Sequence, residues 1–209
     1  MRITIPTNIG DITLLQFQQW NKIFNDEKID DGVKEVYKVS IFLNIEYSDA
    51  VNMAVKVFKE VSAMIDEAMS TEVKKRKTFF IHGLEFGVVP DFEKISQGEY
   101  VDMARYVKSE DTFNDFMAVC CRPILKRSKD SYKIKEYKTS KEYSNTLKLA
   151  PMDVVNDCIG FFLDCANSLK ENTKPFTRVR AIQRVILPHL IFISGGGYLV
   201  WLKSLIWKG

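Results

Sequence analysis

The sequence predicts a mainly α-helical protein with one or two short β-hairpins, an α+β chain in which a helical core domain (1–172) precedes a C-terminal helical arm (173–209). Three observations lead to this fold class. Apolar residues recur at helical spacing through most of the chain. Two boxes of the type S/T-x-x-E/Q, Thr13 to Gln16 and Ser96 to Glu99, mark helix starts. The dipeptide His82-Gly83 separates two β-branched or aromatic runs, Phe79 to Ile81 and Leu84 to Val88, as a hairpin turn does.

In chain order, Arg2 to Pro6 reads as an extended segment, and the box at Thr13 opens a helix with Leu14, Phe17, Trp20 and Phe24 on one face. The acidic cluster Asp26 to Asp31 ends it. A second helix, Gly32 to Leu43, is expected to bury Val33, Val36, Tyr37 and Ile41. After Ser48, a plausible cap, one uninterrupted helical region is expected to run toward Met69, with Val57, Val61, Met64, Ile65 and Ala68 on its inner side.

The central hairpin-helix-helix stretch (79–123) carries the clearest local signals. Beyond the first hairpin, Tyr100, Met103, Ala104 and Val107 form one apolar helix face, and Phe113, Phe116, Met117 and Cys120 form another. Arg122-Pro123 then forces the chain out of the helical region. Tyr100, Met103, Phe113, Phe116 and Met117 are therefore expected to be a packing centre. Ile124 to Lys126 and Tyr132 to Lys135 suit a second hairpin, and helix is expected to return after Ser140. Pro151 opens a helix whose stripe is Val154, Cys158, Phe161, Phe162, Cys165 and Leu169.

Asn172 to Pro175 reads as a linker to the arm. Between Arg184 and Lys203 lies an uncharged run of eighteen residues that contains Gly195, Gly196 and Gly197. Three consecutive glycines suit a hinge between two helices better than the middle of a membrane span. Tyr198, Trp201, Leu205 and Ile206 on the last helix are the expected partner-docking residues, on a protein neighbour or a second copy of the chain. An interfacial position at a membrane is the rival expectation.

Two runs of this sequence also carry a resemblance. The first is Phe86-Gly87-Val88-Val89-Pro90-Asp91 with Gly98-Glu99-Tyr100-Val101-Asp102, and the second is Met117-Ala118-Val119-Cys120-Cys121-Arg122-Pro123-Ile124. Ile12 to Phe17 and Ser194 to Gly197 agree more loosely. Together they resemble a family of small virion-associated or tail-assembly proteins of large tailed bacteriophages of gut Bacteroides-type hosts, including the crAss-like group. The resemblance implies a non-enzymatic structural or packaged component of the virion's tail or portal region. Its partners would be other phage structural proteins, and it would occupy the host bacterial cytoplasm during assembly. A tail-assembly chaperone left out of the finished particle is the alternative, and a nucleic-acid-binding regulator is a third. The resemblance brings no catalytic residues.

Taken on their chemistry alone, the residues name no function. With 46% apolar and 27% charged residues and a net charge of +3, the composition is that of an ordinary globular chain. Cys120, Cys121, Cys158 and Cys165 lie in apolar helical patterns without C-x-x-C spacing, so reduced buried thiols are expected rather than a metal site or disulfides. No signal peptide is expected at the N-terminus, where no apolar run follows Arg2. No cofactor is expected, because no phosphate-binding glycine motif or nucleophile elbow occurs. Asp153, Asp157 and Asp164 read as a solvated or arginine-paired helix edge, with Arg178, Arg180 and Arg184 as candidate partners. Between Arg122 and Lys141, eight Lys or Arg face only Asp130 and Glu136. Arg122, Lys126, Arg127, Lys129, Lys133 and Lys135 are the candidate nucleic-acid contacts, and a solvated hairpin kept soluble by lysine is the competing reading.

Overall fold

The computed structural model describes residues 3–71, 76–91, 94–129 and 131–171, with only the backbone considered from 164 onward. The fold is α+β, mostly helical with one small antiparallel sheet of four strands. The described residues fall into two compact units, one before residue 74 and one from it onward. The arm, with Gly195, Gly196, Gly197, Tyr198, Trp201, Leu205 and Ile206, lies outside the described residues.

The first unit is helical: α1 (Leu14–Phe24), α2 (Asp31–Leu43), α3 (Tyr47–Val51) and α4 (Val55–Ser70). The capping box at the start of α1 is formed, since Thr13 Oγ1 accepts from the Gln16 N–H and Gln16 Oε1 accepts from the Thr13 N–H. The same Gln16 side chain donates to the carbonyls of Ile41 (3.1 Å) and Phe42 (3.3 Å), which ties the start of α1 to the end of α2. Helix α2 stops at Asn44, whose left-handed backbone (φ 52°) suits asparagine better than most residues. Ile12, Leu14, Phe17, Trp20, Val39, Phe42, Leu43, Val61 and Ile65 make the core of this unit.

Two expectations fail here. Val33 is exposed and Val36, Tyr37 and Ile41 are only half-buried, while Lys38, Val39, Phe42 and Leu43 face inward. The helix after Ser48 is also not continuous: α3 starts after Glu46, and Asn52 to Ala54 separate it from α4. On α4, Val61, Ile65 and Ala68 are buried as expected and Ser62 joins them, while Val57 and Met64 are exposed. The nearly buried Lys38 ammonium on the inner side of α2 reaches Asp66 at 2.8 Å and Glu35 at 2.8 Å. Ser62 adds a 2.7 Å bond to Glu35. A buried ammonium must be paired, and these partners turn the polar edges of α2 and α4 toward each other.

In the second unit, β1 (Thr78–Ile81) and β2 (Leu84–Val88) pair across His82-Gly83. Both turn residues have positive φ (49° and 78°), as a two-residue hairpin turn matched to strand twist requires. Next come α5 (Gln97–Tyr106), begun by the formed box Ser96/Glu99, and α6 (Phe113–Cys120). Every residue of α6 is buried. The second hairpin is present as β3 (Cys121–Arg127) and β4 (Tyr132–Ile134). The two hairpins are not separate: Phe86 pairs with Pro123, Gly87 with Arg122 and Val88 with Cys121, giving the order β1-β2-β3-β4. Pro123 accepts from the Lys135 N–H (2.9 Å) but has no N–H to return, and β3–β4 pairing stops at that level.

After β4, where a helix was expected from Ser140, the chain makes two short 3-10 turns, Ser140–Glu142 and Thr146–Leu149, before α7 (Met152–Glu171). Phe116 stands edge-on to Phe162 of α7 at 5.9 Å between ring centres, and Tyr100 packs on the same ring at 6.0 Å. Met103, Phe113, Phe116 and Met117 are buried and Tyr100 is half-buried. Along α7, Val154, Cys158 and Phe162 are buried, but Phe161 is exposed, because Val155 and Ile159 take the inner positions instead.

Gly87 marks the tightest approach in the sheet. The Tyr132 side chain of β4 crosses over it to donate to the Val88 carbonyl (2.6 Å), and a Cβ at Gly87 would lie 2.5 Å from the ring. Gly87→Ala is therefore expected to destabilise by about 1–3 kcal/mol in urea denaturation, as overpacking does. The loss should shrink in a Tyr132→Ala background, and equal losses in both backgrounds would count against this contact as the cause.

Candidate functional site

The residues that carry the sequence pattern meet where α5 crosses β3. Ser96 and Glu99 form the helix cap, with Glu99 Oε2 accepting from the Ser96 N–H and hydroxyl, both at 2.8 Å. The other carboxylate oxygen of Glu99 holds Arg122 Nη2 at 2.7 Å, and both side chains are only 10% exposed, so the ion pair is largely desolvated. The Arg122 guanidinium lies over the Tyr137 ring at 5.8 Å, within cation–π range. Tyr137 in turn donates to Asp102 Oδ2 at 2.6 Å, and burial followed by that bond pushes its phenol up.

A second polar group closes the other side of α6. Asp115, almost fully buried, accepts from Ser140 Oγ (3.2 Å) and from Lys141 Nζ (3.1 Å). Ser140 Oγ also lies 3.2 Å from the Tyr106 hydroxyl, and Asn114 donates to Ser144 at 2.6 Å. These bonds pin the 3-10 segment after β4 onto α5 and α6. The hydroxyl of Ser140 is buried beside a carboxylate and a phenol, and among the described residues no imidazole is bonded to it. Of the two histidines, His82 sits in the exposed β1–β2 turn and His189 lies outside the described residues.

Other carboxylates are likewise held in structural pairs. Glu85 takes Arg127, Asp91 takes Lys94 at 2.6 Å, and Asp153 takes two nitrogens of Arg76, Nε and Nη2, at 2.6 and 2.7 Å. Asp153 is thus a buried anchor rather than part of a solvated edge, and its partner comes from 77 residues upstream. Asp157 is half-buried, and the Asp164 side chain lies outside the described residues, as do Arg178, Arg180 and Arg184. Cys120, Cys121 and Cys158 are buried free thiols in one cluster, and burial pushes Cys120 and Cys121 up. The Cys165 side chain lies outside the described residues. Among the described residues no group of three or more His, Cys, Asp or Glu is arranged to hold a metal ion.

The basic tract separates into two kinds of residue. Arg122 leaves the candidate nucleic-acid set, because it is buried and bound to Glu99. Arg127 is drawn to Glu85, and Lys135 to Glu142 and Tyr143. Lys126, Lys129 and Lys133 are exposed at the outer part of the β3–β4 hairpin, with Lys126 and Lys133 directly paired across the strands. In the helical unit an open cleft is lined by Thr4, Pro6, Asp11, Gln16, Phe42, Leu43 and Asn44, of which Asp11 is charged. No described helix is long and apolar enough to cross a membrane.

No protein-family model, curated protein or solved structure matches this chain.

Sequence reasoning placed Glu99 correctly as a cap but missed its second role. The available signal was Arg122 itself, a charged residue flanked by Cys120, Cys121 and Pro123, in surroundings that bury it. Arg122→Met, which leaves the Glu99 carboxylate desolvated and without its arginine, is expected to lower stability by about 3–5 kcal/mol. Paired with Glu99→Gln in a double-mutant cycle, the two losses should be strongly non-additive, and additive losses would mean that the pair is not coupled.

Proposed function

We propose that this chain is a non-catalytic component of a tailed-phage particle, structural or packaged, in the tail or portal region. The sequence resemblance supports this reading, and one structural observation carries it further. The polar residues shared with that pattern, Glu99, Asp102 and Arg122, form interior bonds between α5, β3 and the segment after β4. A motif whose polar groups are occupied by the protein's own fold suits a scaffold that presents surfaces to neighbours. The arm would supply the anchors, with Tyr198, Trp201, Leu205 and Ile206 docking on other phage structural proteins and Gly195 to Gly197 setting the angle. Quantitative mass spectrometry of gradient-purified particles and of infected-cell lysate tests this: the protein is expected in both. Abundance in the lysate with loss from the particles would replace this reading with that of an assembly chaperone.

A second reading, contact with nucleic acid, is favoured by the hairpin tip. Lys126 and Lys133 face each other across the strands with no acidic partner among the described residues, and phosphate would relieve that repulsion. Reversal of both to Glu is expected to weaken duplex DNA binding and flatten its salt dependence, while Arg122→Met at matched folding leaves the slope unchanged. An unaltered slope in the Glu variant would remove the tip from the interface.

A further inference from the structure

The thiols at the junction of α6, β3 and α7 are arranged for chemistry that the reading above does not use. Cys121 opens β3, Cys158 lies in the second turn of α7, and their sulfurs are 3.9 Å apart. Cys120 belongs to the same cluster, so Cys158 faces two neighbouring thiols. All three are free and buried. Bonding would require the Cys121 and Cys158 sulfurs to close by roughly 2 Å, to a bond length of about 2.05 Å. A bond there would join the sheet to the last described helix across 37 residues of chain.

We propose that Cys121 and Cys158 are an oxidation site, a dithiol that hydrogen peroxide converts to a disulfide stapling α7 to β3. In the first step one sulfur of the pair attacks a peroxide oxygen, giving a sulfenic acid and water. In the second the other sulfur displaces hydroxide from that sulfenic sulfur, and a proton from the thiol completes a second water. Two electrons and two protons leave the pair, and the peroxide is reduced. Either sulfur of the pair can attack first, since the two lie 3.9 Å apart and both orders give the same disulfide. Closure of the intervening loop removes freedom from the unfolded chain, so the oxidised form is the more stable one. None of this depends on the phage reading, since it requires only the folded chain and a peroxide.

The test uses the full chain, purified reduced and treated with hydrogen peroxide in native buffer, with residual thiols then alkylated. Fragmentation of the non-reduced peptides is expected to show Cys121 joined to Cys158. The melting temperature should rise by roughly 5–10 °C and return with dithiothreitol. Cys120→Ser and Cys165→Ser should keep the link, and Cys121→Ser or Cys158→Ser should abolish the rise. Absence of the link in the folded wild-type chain overturns the proposal, as does a link formed only in urea or one that joins Cys158 to Cys120. The wild-type fragmentation result stands even where a serine variant fails to fold.

Discussion

A helix that passes into a strand with no loop between them fixes the geometry of the second unit. Helix α6 ends at Cys120 and β3 begins at Cys121. Pro123 explains why: it disfavours helical backbone at Arg122, so the helix cannot continue and the chain must extend at once. Extension sends successive side chains to opposite faces of the sheet. Cys121 and Pro123 share the face of Phe86, whose ring stacks on Phe79 and meets Tyr143, whereas Arg122 emerges on the face of Gly87. One proline thus places a thiol against α7 and a guanidinium against α5.

Burying that guanidinium limits what else can surround it. A desolvated charge is tolerated only with an opposite charge and good hydrogen bonds, and Glu99 supplies both because the Ser96 cap already orients its carboxylate. The Arg122 Nε has no hydrogen-bond partner among the described residues, and the Tyr137 ring faces the guanidinium instead. Tyr137 is held by Asp102, three residues along α5 from Glu99, so both acids present themselves on one side of the helix. The cap, the ion pair and the phenol–carboxylate bond therefore form one connected group in which each member orients the next.

What could be read from the sequence was what is local. The boxes at Thr13 and Ser96 and the turn at His82-Gly83 are specified within four residues, and all three appear where the sequence puts them. The apolar faces of α5 and α6 were legible because tightly spaced large residues leave a short helix few ways to bury them. The buried face of α2 was not, because Lys38 finds Asp66 at a separation of 28 residues, a pairing that the spacing of Val33, Val36 and Tyr37 does not announce. The break at Asn52 to Ala54 contains neither glycine nor proline, so no local breaker announced it. Joining of the hairpins through Phe86 and Pro123 lies equally beyond local pattern, since two helices separate the strands.

The same distinction decides where a functional surface is to be sought. Residues in buried ion pairs, such as Arg122, Asp153 and Asp115, hold elements together, and their charge is already taken up by the fold. Lys126 and Lys133 differ in kind. Like charges directly opposite on neighbouring strands disfavour the pair by roughly 0.2–1 kcal/mol, and the fold gains no visible packing in return. Lys129 extends the positive charge toward the tip, and the neighbouring Leu125 is exposed. Screening in water makes that repulsion easy to bear, which is why such a pair can exist without a role. A polyanion would turn that repulsion into attraction without rearranging the strands, whereas Arg122, Asp153 and Asp115 could meet one only by giving up bonds that hold the fold.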